Sequence, residues 1–145
     1  MWPLNSDVRQ QGAPVVKVSI SIDVPNLPDA MRFYTAAFGF ERLSEPVPGV
    51  VVMRAGELGI CLLEKHEASI PADGSDDRRR YGRHWTPVHM DVHVRDLQAA
   101  LTRVLDAGAR QERLIENAEH GSVAFCSDPF GHGFCLIEER PKNAT

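Results

Sequence analysis

Two stretches of the chain alternate apolar and polar residues without a break: Val18-Ser19-Ile20-Ser21-Ile22-Asp23-Val24 and Val88-His89-Met90-Asp91-Val92-His93-Val94. A period of two is that of a strand buried on one face. Val18, Ile20, Ile22 and Val24, and in the later stretch Val88, Met90, Val92 and Val94, are expected to lie under helices. The opposite faces then carry Ser19, Ser21 and Asp23, and His89, Asp91 and His93. After each stretch the spacing becomes helical. The first helix is expected from a cap at Asn26, with Pro28 in its opening turn, through Met31, Phe33, Tyr34 and Phe38 to Gly39. The second is expected from a cap at Asp96 through Leu97, Ala100, Leu101, Val104 and Leu105 to Gly108. Asn and Asp accept the free N–H groups of a first turn, and glycine adopts the left-handed conformation past a last one.

Each half closes on a similar apolar hexapeptide, Gly59-Ile60-Cys61-Leu62-Leu63-Glu64 and Gly133-Phe134-Cys135-Leu136-Ile137-Glu138. Between helix and hexapeptide there is room for two strands, about 41–44 and 50–55 in the first half and 109–114 and 122–127 in the second. The two caps are 70 residues apart and the two hexapeptides 74 apart, so strand, helix and closing strand recur together. That is an internal duplication. The expected fold class is α+β: two tandem βαβββ modules forming a curled mixed sheet around a shared cavity. The modules are expected at 15–70 and 87–140, with a lead-in at 1–14, a linker at 71–86 and a tail at 141–145. The linker's Arg78-Arg79-Arg80 run reads as a solvated surface segment.

Composition narrows the function. A net charge of −4 with no basic face argues against a nucleic-acid partner. No stretch approaches the roughly 20 apolar residues of a membrane helix, and the first residues lack the basic start and apolar run of a signal peptide. Three cysteines, Cys61, Cys126 and Cys135, form no even disulfide framework and fit reduced thiols in the cytoplasm.

Asn26-Leu27, Phe33-Tyr34 and Phe38-Gly39-Phe40, followed late in the chain by Ser127-Asp128-Pro129-Phe130-Gly131-His132, give the sequence a family likeness. It resembles the glyoxalase, bleomycin-resistance and extradiol (ring-cleaving) dioxygenase superfamily, the vicinal oxygen chelate fold, over about residues 15–140. The resemblance implies that each module curls into a half-cup and that paired modules enclose a small-molecule pocket. In metal-binding members it also implies one ligand on the first and one on the fourth strand of each module. Those positions hold Ser19, Cys61, His89 and Cys135 here, where the family favours His or Gln and Glu. Glu64 and Glu138 lie three residues further on, and odd spacing turns them to the other face of the strand, where they are expected to be solvated.

The expected ligand pocket comprises Ser19, Ser21, Cys61, His89, Asp91, His93 and Cys135, with His89 and Asp91 deepest. No metal is assigned to it, because the usual carboxylate ligands are missing. His89 is the candidate acid–base residue of a lyase- or isomerase-type enzyme, with Asp91 near enough to fix its tautomer. A binding protein that sequesters a drug or metabolite, as in the bleomycin-resistance branch, is the alternative. A lesser one is a zinc enzyme using Cys61, His89 and Cys135, since thiolate and imidazole are good zinc ligands; a His-x-Asp-x-His site on one strand is a further variant. Tyr34 and Cys126 read as core, His132 as a turn residue, and Trp85 as an aromatic at the pocket mouth or a dimer contact. A homodimer is expected, with the half-cups paired within a chain or exchanged between two.

Overall fold

The computed structural model describes residues 14–117, 119 and 121–140. The first module runs β1 (Ser19–Val24), α1 (Leu27–Phe38), β2 (Glu41–Val47), β3 (Val50–Ala55) and β4 (Leu58–Glu64). The second repeats it as β5 (Met90–Val94), α2 (Leu97–Asp106), β6 (Arg110–Ile115), β7 (Val123–Ser127) and β8 (Gly133–Glu138). The strands make two four-stranded sheets in the equivalent orders β1-β4-β3-β2 and β5-β8-β7-β6. Within each, the first strand is parallel to the fourth and the remaining pairs are antiparallel. This is the α+β, twofold βαβββ architecture that the alternation and its repetition predict.

Local chemistry sets the helix limits. Asn26 Oδ1 accepts the Asp29 N–H at 3.0 Å, and Asp96 Oδ1 accepts that of Ala99 at 3.0 Å. Gly39 closes α1 at φ 70°, where a side chain is disfavoured. Glu64 and Glu138 do point away from the polar strand face, but they are not simply solvated. Glu64 Oε2 accepts the Leu27 N–H at 2.9 Å, and Glu138 Oε2 accepts the Leu97 N–H at 3.1 Å. Each therefore ties the end of its module's last strand to the first turn of its helix, where the backbone has unpaired donors and a partial positive charge.

The first helix packs against β4, and the second against β8, β7 and β6. Val24, Ile60, Leu62, Val104 and Leu136 are buried there, and Ile20, Ile22, Met90, Val92 and Val94 pack against them. The strand entrances depart from the alternation: Val18 and Val88 precede the paired segments and are 64% and 71% exposed. The two helices touch, and aromatic rings weld the modules. Phe33 and Phe38 of α1 meet Phe130 and Phe134 of the second module edge-on, with centroids 6.4 and 5.1 Å apart.

The 71–86 segment has no helix or strand, yet it is pinned down rather than solvated throughout. Arg79 Nε donates to Asp23 Oδ2 at 2.7 Å, and its Nη1 reaches Ser69 Oγ and the Ile70 carbonyl. Of the arginine triplet, Arg78 and Arg80 are exposed, as a solvated run requires, but Arg79 is half-buried.

Candidate functional site

Pairing register decides which predicted site residues meet. On the second module Asp91 lies beside Cys135 on β8, and Cys135 lies beside Phe125 on β7, so these three share the face opposite the helix. His89, just before β5, joins them. Its Nε2 is 3.1 Å from Asp91 Oδ1, and the His89, Asp91 and Cys135 donor atoms all lie within 4.8 Å of one another. Burial raises the Cys135 thiol, and the charge and hydrogen bond of Asp91 add to that, so the sulfur keeps its proton near neutral pH. Because ionised Asp91 can only accept, it holds the His89 hydrogen on Nε2 and leaves Nδ1 as the free lone pair.

His89 and Cys135 edge a cavity of about 190 Å³ whose other walls include Arg83, Trp85, Glu112 and Phe125. Arg83 binds the Glu112 carboxylate through two nitrogens, Nε at 2.7 Å and Nη2 at 3.1 Å. That bond raises the guanidinium and holds the Glu112 carboxyl below its ordinary value, so the wall is a closed ion pair rather than a bare charge. Arg83 and Glu112 escape a reading by periodicity, because one sits in an irregular segment and the other on an exposed edge strand. His89 and Asp91 are not at the bottom of a closed pocket as expected: their side chains are 51% and 48% exposed.

The remaining predicted residues divide. Ser19, Ser21 and Cys61 belong to the first sheet, where Ser21 lies beside Cys61 across β1 and β4. Ser21 reaches a second cavity of about 330 Å³ between the modules, which His89 also lines. Cys61 is absent from the group of converging donors, so the Cys61–His89–Cys135 combination is not assembled among the described residues. The physical reason is that Cys61 and Cys135 are equivalent positions on different sheets. His93 stays on the β5 face but turns to Glu139, 3.3 Å away, and the three-residue strand motif does not gather either.

One group was missed. Asp128, read only as part of a turn, is a buried carboxylate that holds both Tyr34 and His132. The four-residue spacing of Asp128 and His132 across a Pro-Phe-Gly turn is the signal that could have found it.

Residues 19–137 match the family described as glyoxalase-like domain. The chain belongs to that family. Solved structures similar to this glyoxalase-like chain have the same fold at low identity. The fosfomycin resistance protein FosX from Listeria monocytogenes is 15% identical, with TM-score 0.67 over 88% of this chain and 94% of its own. The hypothetical protein SA1046 from S. aureus is 17% identical, with TM-score 0.66 over 88% of this chain and 100% of its own. Lactoylglutathione lyase from Agrobacterium tumefaciens is 17% identical, with TM-score 0.59 over 87% of this chain and 96% of its own. No curated protein matches this sequence significantly. At these identities the likeness establishes the vicinal oxygen chelate fold and leaves the chemistry to the residues.

The Listeria protein has also been solved with Mn(II) and a sulfate ion. Imidazole, carboxylate and thiol within 4.8 Å fit a divalent ion in number and spacing. A sulfur donor makes the set better suited to zinc than to manganese, which prefers oxygen and nitrogen.

Proposed function

We propose that this glyoxalase-like protein acts on a small organic molecule at the second-module face, as a lyase- or isomerase-type enzyme with His89 as its acid–base residue. One observation carries the reading: His89, Asp91 and Cys135 converge within 4.8 Å on an open strand face beside a cavity. Nδ1 of His89 can take a proton from the substrate, while Asp91, at 3.1 Å from Nε2, offsets the charge that forms on the ring. The protonated Cys135 thiol, hydrogen-bonded to Asp91, holds that carboxylate in place and is a donor rather than a nucleophile. Trp85 and Phe125 supply apolar walls for the body of the substrate.

A metal-loaded form is the second reading, favoured by the same three donors. His89, Asp91 and Cys135 would hold the ion, and a zinc ion there would supply Lewis-acid polarisation. Sequestration of a drug or metabolite without reaction is the third. Because the catalytic face is half-exposed and Trp85 beside it is 80% exposed, we further propose a homodimer in which a second copy covers this face. The free Cys61, Cys126 and Cys135 fit a reducing cytoplasm, and among the described residues no helix is long and apolar enough to cross a membrane.

Elemental analysis of the purified protein, combined with a ligand screen by thermal shift, separates these readings. The expected result is less than stoichiometric metal, and a ligand that stabilises wild type and is turned over by wild type but not by His89→Ala. Stoichiometric zinc that is lost in Cys135→Ala would replace the acid–base reading with the metal one. A ligand that binds wild type and His89→Ala equally, with no turnover by either, would leave a passive binder.

A further inference from the structure

The cleft between the modules contains a second proton-handling group that the His89 face does not use. Its volume is about 330 Å³, and Ile20 and Ile22 of β1 and Met90 and Phe134 of the second module give it apolar walls. Its polar lining comprises Ser21, Asp23, Thr86 and His89 together with the bonded group of Tyr34, Asp128 and His132.

Asp128 has a side chain only 1% exposed, and four donors converge on it. Oδ1 accepts the backbone N–H groups of Phe130 at 2.8 Å and His132 at 2.9 Å. Oδ2 accepts the Tyr34 hydroxyl and, at 2.7 Å, Nδ1 of His132. A carboxylate with all its lone pairs so occupied has no room for a proton of its own. Tyr34 stays a neutral donor, because burial raises its phenol and the neighbouring Asp128 charge raises it further. His132 must then carry hydrogen on Nδ1, which leaves Nε2 as its working nitrogen. Among the described residues no side chain or backbone group bonds Nε2. The ring is 30% exposed and borders both the inter-module cleft and the neighbouring cavity beneath residues 77–87.

A bond between Tyr34 and Asp128 would by itself staple α1 to the second-module turn. The histidine adds something a staple does not need: an imidazole fixed in one tautomer, backed by a buried carboxylate, with its free nitrogen at a cavity wall. That is the arrangement by which a carboxylate orients an imidazole for proton transfer.

We propose that His132 is an acid–base residue for a second ligand site, the inter-module cleft, and that this site takes a small apolar compound bearing one acidic oxygen, such as a phenol or enol. On binding, the ligand's O–H proton moves to Nε2 of His132. The products are the ligand oxyanion and an imidazolium paired with the Asp128 carboxylate, with no other proton displaced. Apolar walls, and a lining that holds the carboxylates Asp128 and Asp23 (the latter paired with Arg79) and no Lys or Arg, favour a ligand that enters neutral and ionises in place.

4-Nitrophenol fits this description and reports its own ionisation by the yellow phenolate band. Titrated into the full chain at mildly acidic pH, it is expected to bind saturably, to gain phenolate absorbance on binding, and to shift the ring nitrogens of His132 in nitrogen NMR. His132→Asn keeps an N–H donor for Asp128 and should melt close to wild type, while the absorbance gain falls at least tenfold. Cys135→Ala, which alters the His89 face but not the lining of the cleft, should keep the gain, which separates this site from that face. No saturable absorbance change in wild type, or a change that survives His132→Asn and disappears in His89→Ala, would overturn the proposal.

Discussion

Cys126 and Cys135 sit on neighbouring strands and face opposite ways, one into the helix-covered core and one onto the polar face. Burial pushes the Cys126 thiol up to about 11 and raises that of Cys135 as well. In the unfolded chain both ionise near the ordinary value of 9.0. Below that pH neither state is ionised and the folded chain has its full stability. As pH rises from 9 toward 11 the unfolded chain loses these protons first, so folding stability falls across that window. Urea midpoints measured from pH 8 to pH 11 should drop over it, and a Cys126→Ala variant should show a shallower drop from a lower starting point. An equally steep drop in the variant would remove Cys126 as the cause. Strand alternation was enough to place His89 and Asp91 on one face, because side-chain direction on a strand is a local property, whereas Cys135 entered the expected pocket through the family resemblance. Alternation could not separate Cys61 from that set, since which sheet faces which depends on packing between modules. Nor could it assign His132, whose partner Asp128, 4 residues away, is itself held by Tyr34 from 94 residues earlier in the chain.

At the scale of elements, cap residues and strand periods carried nearly all the legible information. Asn26, Asp96 and Gly39 act where their chemistry says they should, and β3 spans Val50–Ala55 as the apolar run predicts. The 71–86 segment was less readable, because it is held by tertiary contacts that leave no periodic trace. Its descent toward the site is fixed at Gly131, which has φ 90° and lies under the Tyr81 and Gly82 carbonyls. A Cβ there would come within 2.7 Å of both oxygens, and the positive φ alone costs a side chain about 1–2 kcal/mol. Gly131→Ala is therefore expected to lower the melting temperature by several degrees and to speed amide exchange in residues 79–85. An exchange pattern unchanged in that segment would show that the close approach is not what holds it. Tyr81 adds a separate anchor, donating its hydroxyl to the Lys65 carbonyl at 2.6 Å. The same segment supplies Arg83 and Trp85 to the second-module cavity, so loosening it should also weaken ligand binding there.

For the whole molecule, the two sheets are joined by side chains and not by strand pairing. The aromatic contacts of Phe33 and Phe38 with Phe130 and Phe134 hold the helix side together, whereas the polar faces of the sheets are left open. Exposed Val18, Trp85 and Val88 near the mouths of those faces give a second copy apolar surface to cover. Sedimentation equilibrium is expected to give twice the chain mass, and Trp85→Asp to shift it toward a single chain; a wild-type monomer at micromolar concentration would contradict the dimer. The twin glutamates have a consequence for connectivity. Since Glu64 and Glu138 each bind the start of their own module's helix, every module closes on itself before the chain moves on. The start of each helix is therefore satisfied within its own half, while Tyr34 and Asp128 bond the two halves to each other. Each half thus carries its own strand-to-helix latch, and the two latched halves meet through the aromatic rings and the Tyr34–Asp128 bond.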